Sequence, residues 1–292
     1  MPKSGFVSLI GRPNSGKSTL LNRFVGEKVS IVTDKPQTTR NIIRGIVTRP
    51  EGQIVLLDTP GIHKPIHRMN ERMMKYVRDA MSEVDLLLLL VDASASFGRG
   101  DEFTLELVKP LSVKKILLPN KIDRIAKKDL LPLIDHYSKL AAFDEVIPIS
   151  ALNGENVEML LQQIFKYLPE GPQYYPADQI TDQQERGLAA EIIREKLIVA
   201  TRDELPYSTA VVIDRFEEGE KIHRIYASIF VDRESQKAIV IGKGGEVLKA
   251  VGTEARKEME SFFGRKVFLE LHVKLKKGWR DNEEALRSLG ME

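Results

Sequence analysis

The 292 residues predict an α/β domain with a mostly parallel sheet, followed by a smaller α+β domain. Three observations lead there. Through the first half, short apolar runs alternate with amphipathic or polar stretches; near Leu168 that rhythm breaks at Pro169-Glu170-Gly171-Pro172, and shorter helical and alternating patterns follow. A length near 300 residues exceeds what one hydrophobic core usually organises, so size alone also points to two domains. The chain contains no Cys, which removes a disulfide framework, a Cys-ligated metal site and thiol catalysis. Residues 1–16 hold no apolar stretch of the secretory type, and the longest apolar run, residues 86–91, is far short of the roughly 20 residues a membrane span needs. A soluble, cytoplasmic chain is expected. The formal charge of +2, from 44 Lys+Arg and 42 Asp+Glu, averages over regions and excludes no partner, so charge is read locally.

Residues 6–10, 54–57, 86–91, 116–118 and 146–149 are the apolar runs of the first half. Four to six apolar residues between helix-compatible stretches read as strands buried on both faces, and chemistry is expected at their C-terminal ends. Met69, Met73, Val77 and Met81 repeat at every fourth position, as on the packed face of a helix. The breakers after Leu168 set the expected boundaries: a first domain over 1–170, a linker over 171–182 and a second domain over 183–292. Within the second domain, Ala189, Ile192, Ile193 and Leu197 recur at helical spacing and Ile225, Ala227, Ile229 and Val231 alternate as in a half-buried strand. Ala255, Met259, Phe262 and Phe263 then return to helical spacing, and Val267, Leu269, Leu271 and Val273 alternate again.

Directly after the first predicted strand stands Gly11-Arg12-Pro13-Asn14-Ser15-Gly16-Lys17-Ser18-Thr19, leading into a helical pattern. Such a glycine-rich backbone turns N–H groups towards phosphate oxygens, the helix N-terminus adds partial positive charge, and Lys17 neutralises the β- and γ-phosphates. Ser18 supplies a hydroxyl ligand to Mg²⁺. Gly11, Asn14, Ser15, Gly16, Lys17, Ser18 and Thr19 are the expected phosphate cradle. Alone, this motif fits a GTPase, an ATPase or a small-molecule kinase. Asp58-Thr59-Pro60-Gly61 ends the second run; there Asp58 can reach Mg²⁺ through water and the Gly61 N–H can meet the γ-phosphate. Asn120-Lys121-Ile122-Asp123 follows the run at 116–118. A carboxylate at Asp123 accepts two hydrogen bonds from the N1–H and 2-amino group of guanine, a pair that adenine does not offer. Asn120 and the Lys121 stem order that loop and cover the base, and Ser150-Ala151-Leu152 offers a backbone N–H to the guanine O6. GTP and GDP are the expected ligands.

These motifs resemble the translation-factor-related GTPases of the P-loop class over the first half of the chain. The resemblance implies a switch segment whose threonine binds Mg²⁺ only beside a γ-phosphate. Gln37-Thr38-Thr39-Arg40 matches it, with Thr39 the expected ligand and Thr38 the alternative; Ser18, Thr39 and Asp58 then form the metal set. Hydrolysis would proceed by in-line attack of water, with the developing charge held by Lys17, Mg²⁺ and backbone donors such as Gly61. Many relatives carry a water-orienting Gln directly after Asp-x-x-Gly, whereas this chain carries Ile62. An aliphatic side chain cannot orient water, so another group must, and slow intrinsic turnover is expected. In a resembling subgroup an Asn at the position of Asn14 holds K⁺ beside the phosphates; bracing the loop is an equal alternative for this residue. His63 and His67 suggest no third metal ligand and read as solvated loop histidines.

In the second domain, Gly242-Lys243-Gly244-Gly245 is a Gly-x-x-Gly loop of the kind that lets a nucleic-acid backbone approach closely, with an adjoining groove for about four unpaired nucleotides. The order helix, strand, strand, helix, loop, helix, strand resembles a type II KH domain. From 265 to 280 the basic residues are Arg265, Lys266, Lys274, Lys276, Lys277 and Arg280 against the single acidic Glu270, and this charge is expected on the same face as the loop. Trp279 stands within it and suits either stacking on a base or packing into the domain. Gly242 to Gly245, Lys274, Lys276, Lys277, Trp279 and Arg280 are the candidate RNA contacts. A P-loop GTPase domain followed by one KH domain resembles the Era family of GTPases. That resemblance implies GTP hydrolysis, binding near the 3′ end of 16S ribosomal RNA, a role in maturation of the small ribosomal subunit, and loose peripheral contact with the inner membrane by a monomeric chain.

Overall fold

The computed structural model describes residues 1–201, 205 and 208–289. They form two compact units: Met1–Val32, Thr39–Pro65 and Met73–Asp182 make the first, and Thr33–Thr38, Ile66–Arg72 and Gln183–Glu292 the second.

The first unit is built on six strands: β1 (Lys3–Gly11), β2 (Ile43–Arg49), β3 (Gly52–Asp58), β4 (Leu86–Asp92), β5 (Lys114–Asn120) and β6 (Glu145–Val146). Their order is β2-β3-β1-β4-β5-β6. Only β2 runs antiparallel to its neighbour. Alternate residues of the apolar runs enter different cores. Leu86, Leu88 and Leu90 pack with Leu20, Leu160 and Ile164 of α1 (Lys17–Val25) and α5 (Val157–Tyr167), whereas Leu87, Leu89 and Val91 pack with Met74, Val77 and Leu105 of α2 (Arg68–Ser82) and α3 (Arg99–Val108). A strand covered on both faces has no polar side to show, hence the unbroken run of leucines. Met69, Met73, Val77 and Met81 are all buried, as their spacing predicts. The remaining helix of this unit is α4 (Lys127–Leu140).

Two elements differ from expectation. The sequence reading contains no β2, whose Arg44, Gly45 and Arg49 interrupt any apolar run on an edge strand. At 146–149 the regular strand stops after Val146. Pro148 has no N–H to give, yet Ile147 and Ile149 continue to donate to Leu117 O and Pro119 O at 2.9 and 2.8 Å. The stretch read as a linker is fixed to the first unit. Gln53, fully buried, accepts from the Tyr174 and Tyr175 N–H groups at 2.8 and 2.9 Å and donates to Tyr175 O at 2.9 Å; the Ile46 N–H donates to Ile180 O at 2.8 Å.

The second unit carries α6 (Glu185–Ala200), β7 (Thr209–Glu217), β8 (Ile222–Val231), α7 (Glu234–Ile241), α8 (Glu246–Phe263), β9 (Lys266–Leu275) and α9 (Glu283–Ser288). In the sheet β7-β8-β9 the first pair is antiparallel and the second parallel. Ile192 and Leu197 of α6, Val240 of α7 and Val251 and Met259 of α8 meet Ile225, Ile229 and Val267 in one core. The short segments Thr33–Thr38 and Ile66–Arg72 are held in this unit by polar contacts: Arg194 Nη2 donates to Thr38 O, His67 Nδ1 lies 3.0 Å from Asp281 Oδ2, and Arg72 pairs with Glu283. No helix among the described residues is long and apolar enough to cross a membrane.

Candidate functional site

The parallel register brings Gly11, Asp58, Asp92 and Asn120 to the C-terminal ends of four adjacent strands. The loop from Gly11 to Gly16 wraps into α1 at Lys17. Lys17, 5% exposed, donates from Nζ to Gly11 O at 3.2 Å and Arg12 O at 3.0 Å. Asn14 sits exposed at the tip with φ of 62°; Ser15 is buried and its hydroxyl has no hydrogen-bond partner. Thr19 lies in the first turn of α1, half-buried.

Three hydroxyls and a carboxylate converge near Lys17. Ser18 Oγ donates to Asp58 Oδ2 at 2.6 Å and lies 3.0 Å from Thr39 Oγ1, and Ser30 Oγ donates to the same carboxylate oxygen at 2.9 Å. The other oxygen, Asp58 Oδ1, is buried with no hydrogen-bond partner. Burial pushes the Asp58 carboxyl above its ordinary range, against the opposing pull of Lys17 and the three hydroxyls. Two hydroxyls and a buried, half-satisfied carboxylate suit a hard cation with oxygen ligands such as Mg²⁺. Of the two threonines, Thr39 faces this set; the Thr38 hydroxyl bonds instead to Lys35 O at 2.7 Å and Thr33 Oγ1 at 2.6 Å. Gly61 leans on the cradle, where a Cβ would come within 2.6 Å of Pro13 N. Ile62, 1% exposed, points into the core with Ile10 and Met74. Its side chain serves packing, and the neighbouring His63 bonds through Nδ1 to Gly61 O at 2.7 Å.

On the base side, Asn120 ties three segments together: Nδ2 donates to Ser15 O at 2.8 Å and Oδ1 accepts from the Ala151 N–H at 2.9 Å. Of the Ser150-Ala151-Leu152 segment, from which the sequence expects a backbone N–H for guanine O6, the Ala151 N–H is therefore already paired, as a buried donor must be. Lys121 turns through a φ of 67° and Nζ donates to Asp92 Oδ2 at 2.5 Å. Asp123 is exposed, with Oδ1 accepting from Ser150 Oγ at 2.5 Å. Leu152 stands beside it, 61% exposed, and Arg23 donates to its carbonyl. The contacts of Arg23 with Ala151 O and Leu152 O, and of Asn22 with Val29 and Ser30, were invisible in sequence, where both are ordinary helix residues.

In the second unit, Gly242 to Gly245 turn between α7 and α8. Gly242 has φ of 76°, and a Cβ there would meet Val247 Cγ2 at 2.6 Å; only glycine fits. Lys243 and Gly244 are exposed, and Gly245 opens a groove of about 390 Å³ lined by Leu248, Gly252, Arg256, Leu269 and Leu271. The basic tail does not share that face throughout. Lys274 alternates with Leu271, Val273 and Leu275, which pack on the core, so its side chain leaves the opposite side of the sheet and lies 3.5 Å from Asp214. Lys276 donates to Ser288 Oγ at 2.6 Å, Arg280 lies 3.6 Å from Asp232, and Lys277 is exposed. Trp279 is corrected: it is fully buried and its indole N–H donates to Ser208 O at 3.2 Å, so the ring packs the domain and offers no face to a base.

A strand-loop-helix phosphate cradle with a Ser-Thr-Asp oxygen set and a base-side Asp in the first unit, and a Gly-x-x-Gly helical turn on a three-stranded sheet in the second, define a P-loop GTPase carrying a KH domain. Family models agree: residues 6–121 match the 50S ribosome-binding GTPase family and residues 204–280 the KH domain. GTPase Era of Heliobacterium modesticaldum is 49% identical over 291 residues, covering 99% of this chain and 97% of that protein. The chain belongs to the Era family of GTPases. Among solved structures, an Era variant from Aquifex aeolicus bound to GDP·AlF4⁻ matches with a TM-score of 0.95 and 43% identity over 99% of both chains. Era in complex with MgGDPNP and nucleotides 1506–1542 of 16S ribosomal RNA matches with a TM-score of 0.96 and 43% identity, over 100% of this chain and 99% of that one.

Burial lowers the Lys17 ammonium from 10.5 to about 8, although the Asp58 charge pulls the other way. A bound polyphosphate places negative charge beside it and favours the protonated form. Above pH of about 8, nucleotide binding should therefore take up a proton, and affinity should fall by up to about tenfold per pH unit. Calorimetry of GDP binding at about pH 9, in two buffers of different ionisation enthalpy, reads that uptake directly. Binding without proton uptake would show that Lys17 stays charged in the free protein.

Proposed function

We propose that the cradle binds MgGTP, that its hydrolysis resets the chain, and that the KH domain holds RNA near the 3′ end of 16S ribosomal RNA during maturation of the small subunit. The convergence of Ser18, Thr39 and buried Asp58 near Lys17 carries this reading. Thr39 joins only when its segment is closed over the cradle, so the γ-phosphate state can be reported by the switch segment. Ser18 and Thr39, with Asp58 behind them, would hold Mg²⁺, which would supply positive charge against the negative charge developing on the phosphates. Lys17 would pair with the β- and γ-phosphate oxygens. With Ile62 turned into the core, water must be oriented by backbone, another segment or a partner, and slow basal turnover follows. Asn14, exposed at the loop tip, would offer its side-chain carbonyl oxygen to a K⁺ ion beside the phosphates.

The RNA half of the reading is supported by the groove beside Gly245 and by the RNA-bound Era relative. Work as a monomer, residence in the cytoplasm and loose peripheral contact with the inner membrane belong to the same proposal and rest on family resemblance. The test compares RNA affinity of the full chain with MgGDPNP and with MgGDP. A coupling of about five- to 100-fold in favour of MgGDPNP is expected. Equal affinities would make the nucleotide a structural component and the chain an assembly scaffold. Gly245→Asp should lower RNA affinity at least about tenfold by placing a carboxylate in the phosphate path, with GTP turnover in the absence of RNA within about twofold of the parent. Full RNA affinity in that variant would remove the loop from the site.

A further inference from the structure

The helices of the second unit cover one face of its sheet. Ile225, Ala227, Ile229 and Val231 of β8 and Val267, Leu269, Leu271 and Val273 of β9 point towards them. Strand alternation sends the intervening residues to the other side. There the register sets Arg224 opposite Phe268, Tyr226 opposite Glu270, and Phe230 opposite Lys274. The rings of Tyr226 and Phe268 are 5.8 Å apart, tilted by 57°, and Phe268 is 42% exposed. Arg215 lies 6.0 Å from the Tyr226 ring centre, and Lys274 and Lys276 lie 5.9 and 5.6 Å from that of Phe230. The Arg215 and Lys274 side chains are 70% and 51% exposed. The carboxylates of this face are engaged locally: Asp214 accepts from Ser228 Oγ at 2.5 Å, Glu270 lies 2.7 Å from His272 Nε2, and Glu217 pairs with Arg215.

We propose that this outer sheet face is a second RNA surface, on which a single-stranded segment beyond the groove stacks on Phe268 and Tyr226 while Arg215, Lys274 and Lys276 meet its phosphates. The proposal rests on the reading that this chain binds RNA. An exposed ring at Phe268 beside the half-buried rings of Tyr226 and Phe230 and their cations suits sequence-tolerant single-strand binding. A protein partner would need a contiguous apolar patch, whereas Arg224, Glu270 and His272 divide the rings. The surface is also distinct from the groove of Gly245, Leu269 and Leu271, because those leucines leave β9 on the opposite side from Phe268.

The test uses the full chain and two polyuridine probes, one of about four nucleotides that fills the groove and one of about 12 that extends past it. Phe268→Ala should weaken the longer probe about five- to tenfold and leave the shorter one unchanged, with Phe268→Trp restoring the parent affinity. Lys274→Gln with Lys276→Gln should flatten the dependence of log K on log salt by about 1.4 for the longer probe only. In the unaltered chain, 4-thiouridine crosslinks should map to Tyr226 or Phe268. Equal loss on both probes, no loss on either, or crosslinks confined to the groove would overturn the proposal, and a protein occupant would produce the second of these results. If the short probe does not bind at all, the groove reading fails while the effect of Phe268→Ala on the longer probe is still read.

Discussion

Asp123→Asn is expected to turn the nucleotide preference from GTP towards xanthosine triphosphate. Asp123 is exposed at the end of β5, and one of its oxygens is oriented by Ser150 Oγ at 2.5 Å. A carboxylate fixed in that way would accept from the N1–H and 2-amino groups of guanine. In the variant, an amide NH2 faces the 2-amino group, so one donor meets another and both lose their partner. Xanthine has a carbonyl at that carbon and accepts from the same amide. A site built on hydrogen bonds discriminates steeply because the wrong base leaves polar groups unpaired, so GTP affinity should fall on the order of 10²- to 10⁴-fold. Titration of GTP and xanthosine triphosphate against parent and variant measures it. An unchanged preference for GTP would show that Asp123 does not read the base. Because Ser150 can donate to the amide oxygen as well, the loop should keep its shape.

Trp279→Ala should act on stability before it acts on RNA. The indole is fully buried in the second unit and donates to Ser208 O at 3.2 Å. Removing a buried tryptophan side chain costs about 3–5 kcal/mol, and for a domain of this size that lowers Tm by more than about 10 °C. Thermal or urea unfolding of the full chain should show the loss. Trp279→Phe keeps most of the packing and removes only the hydrogen bond, costing about 1 kcal/mol, and RNA affinity at a temperature where it is folded should equal the parent's. A variant with parent-like stability and weakened RNA binding would instead mean that the ring meets a base.

The phosphate and base loops were legible because each is a short run of special residue types tied to the end of an apolar strand. Gly11 to Ser18, Asp58 to Gly61 and Asn120 to Asp123 lie at adjacent strand ends because a parallel sheet aligns them. What the motifs could not convey was orientation. The basic run near the end of β9 looked like one patch, yet period-two alternation sends Lys274 away from the groove. Ile62 looked like a gap in the catalytic set, yet it is part of the core. Trp279 lies between Lys277 and Arg280 in sequence, but a 3-10 turn over Trp279–Asp281 sends the ring inward while Lys277 stays exposed and Arg280 half-buried. β2 went unseen since an edge strand with Arg at positions 44 and 49 has no continuous apolar run. Such features depend on tertiary neighbours, which a local pattern does not contain.

The strap of residues 171–182 has a consequence for the chain's solubility. β2 is the outermost strand of its sheet, and an open strand edge is a template for pairing with other chains. Here the Ile46 N–H is taken by Ile180 O, Thr181 Oγ1 donates to Arg44 O at 2.7 Å, and Arg44 pairs with Asp182 at 2.7 Å. The segment that looks like a tether therefore seals the edge against self-association. A GTPase domain cut at Leu168 would expose that edge together with the amide of Gln53, whereas one extended through Asp182 keeps both covered.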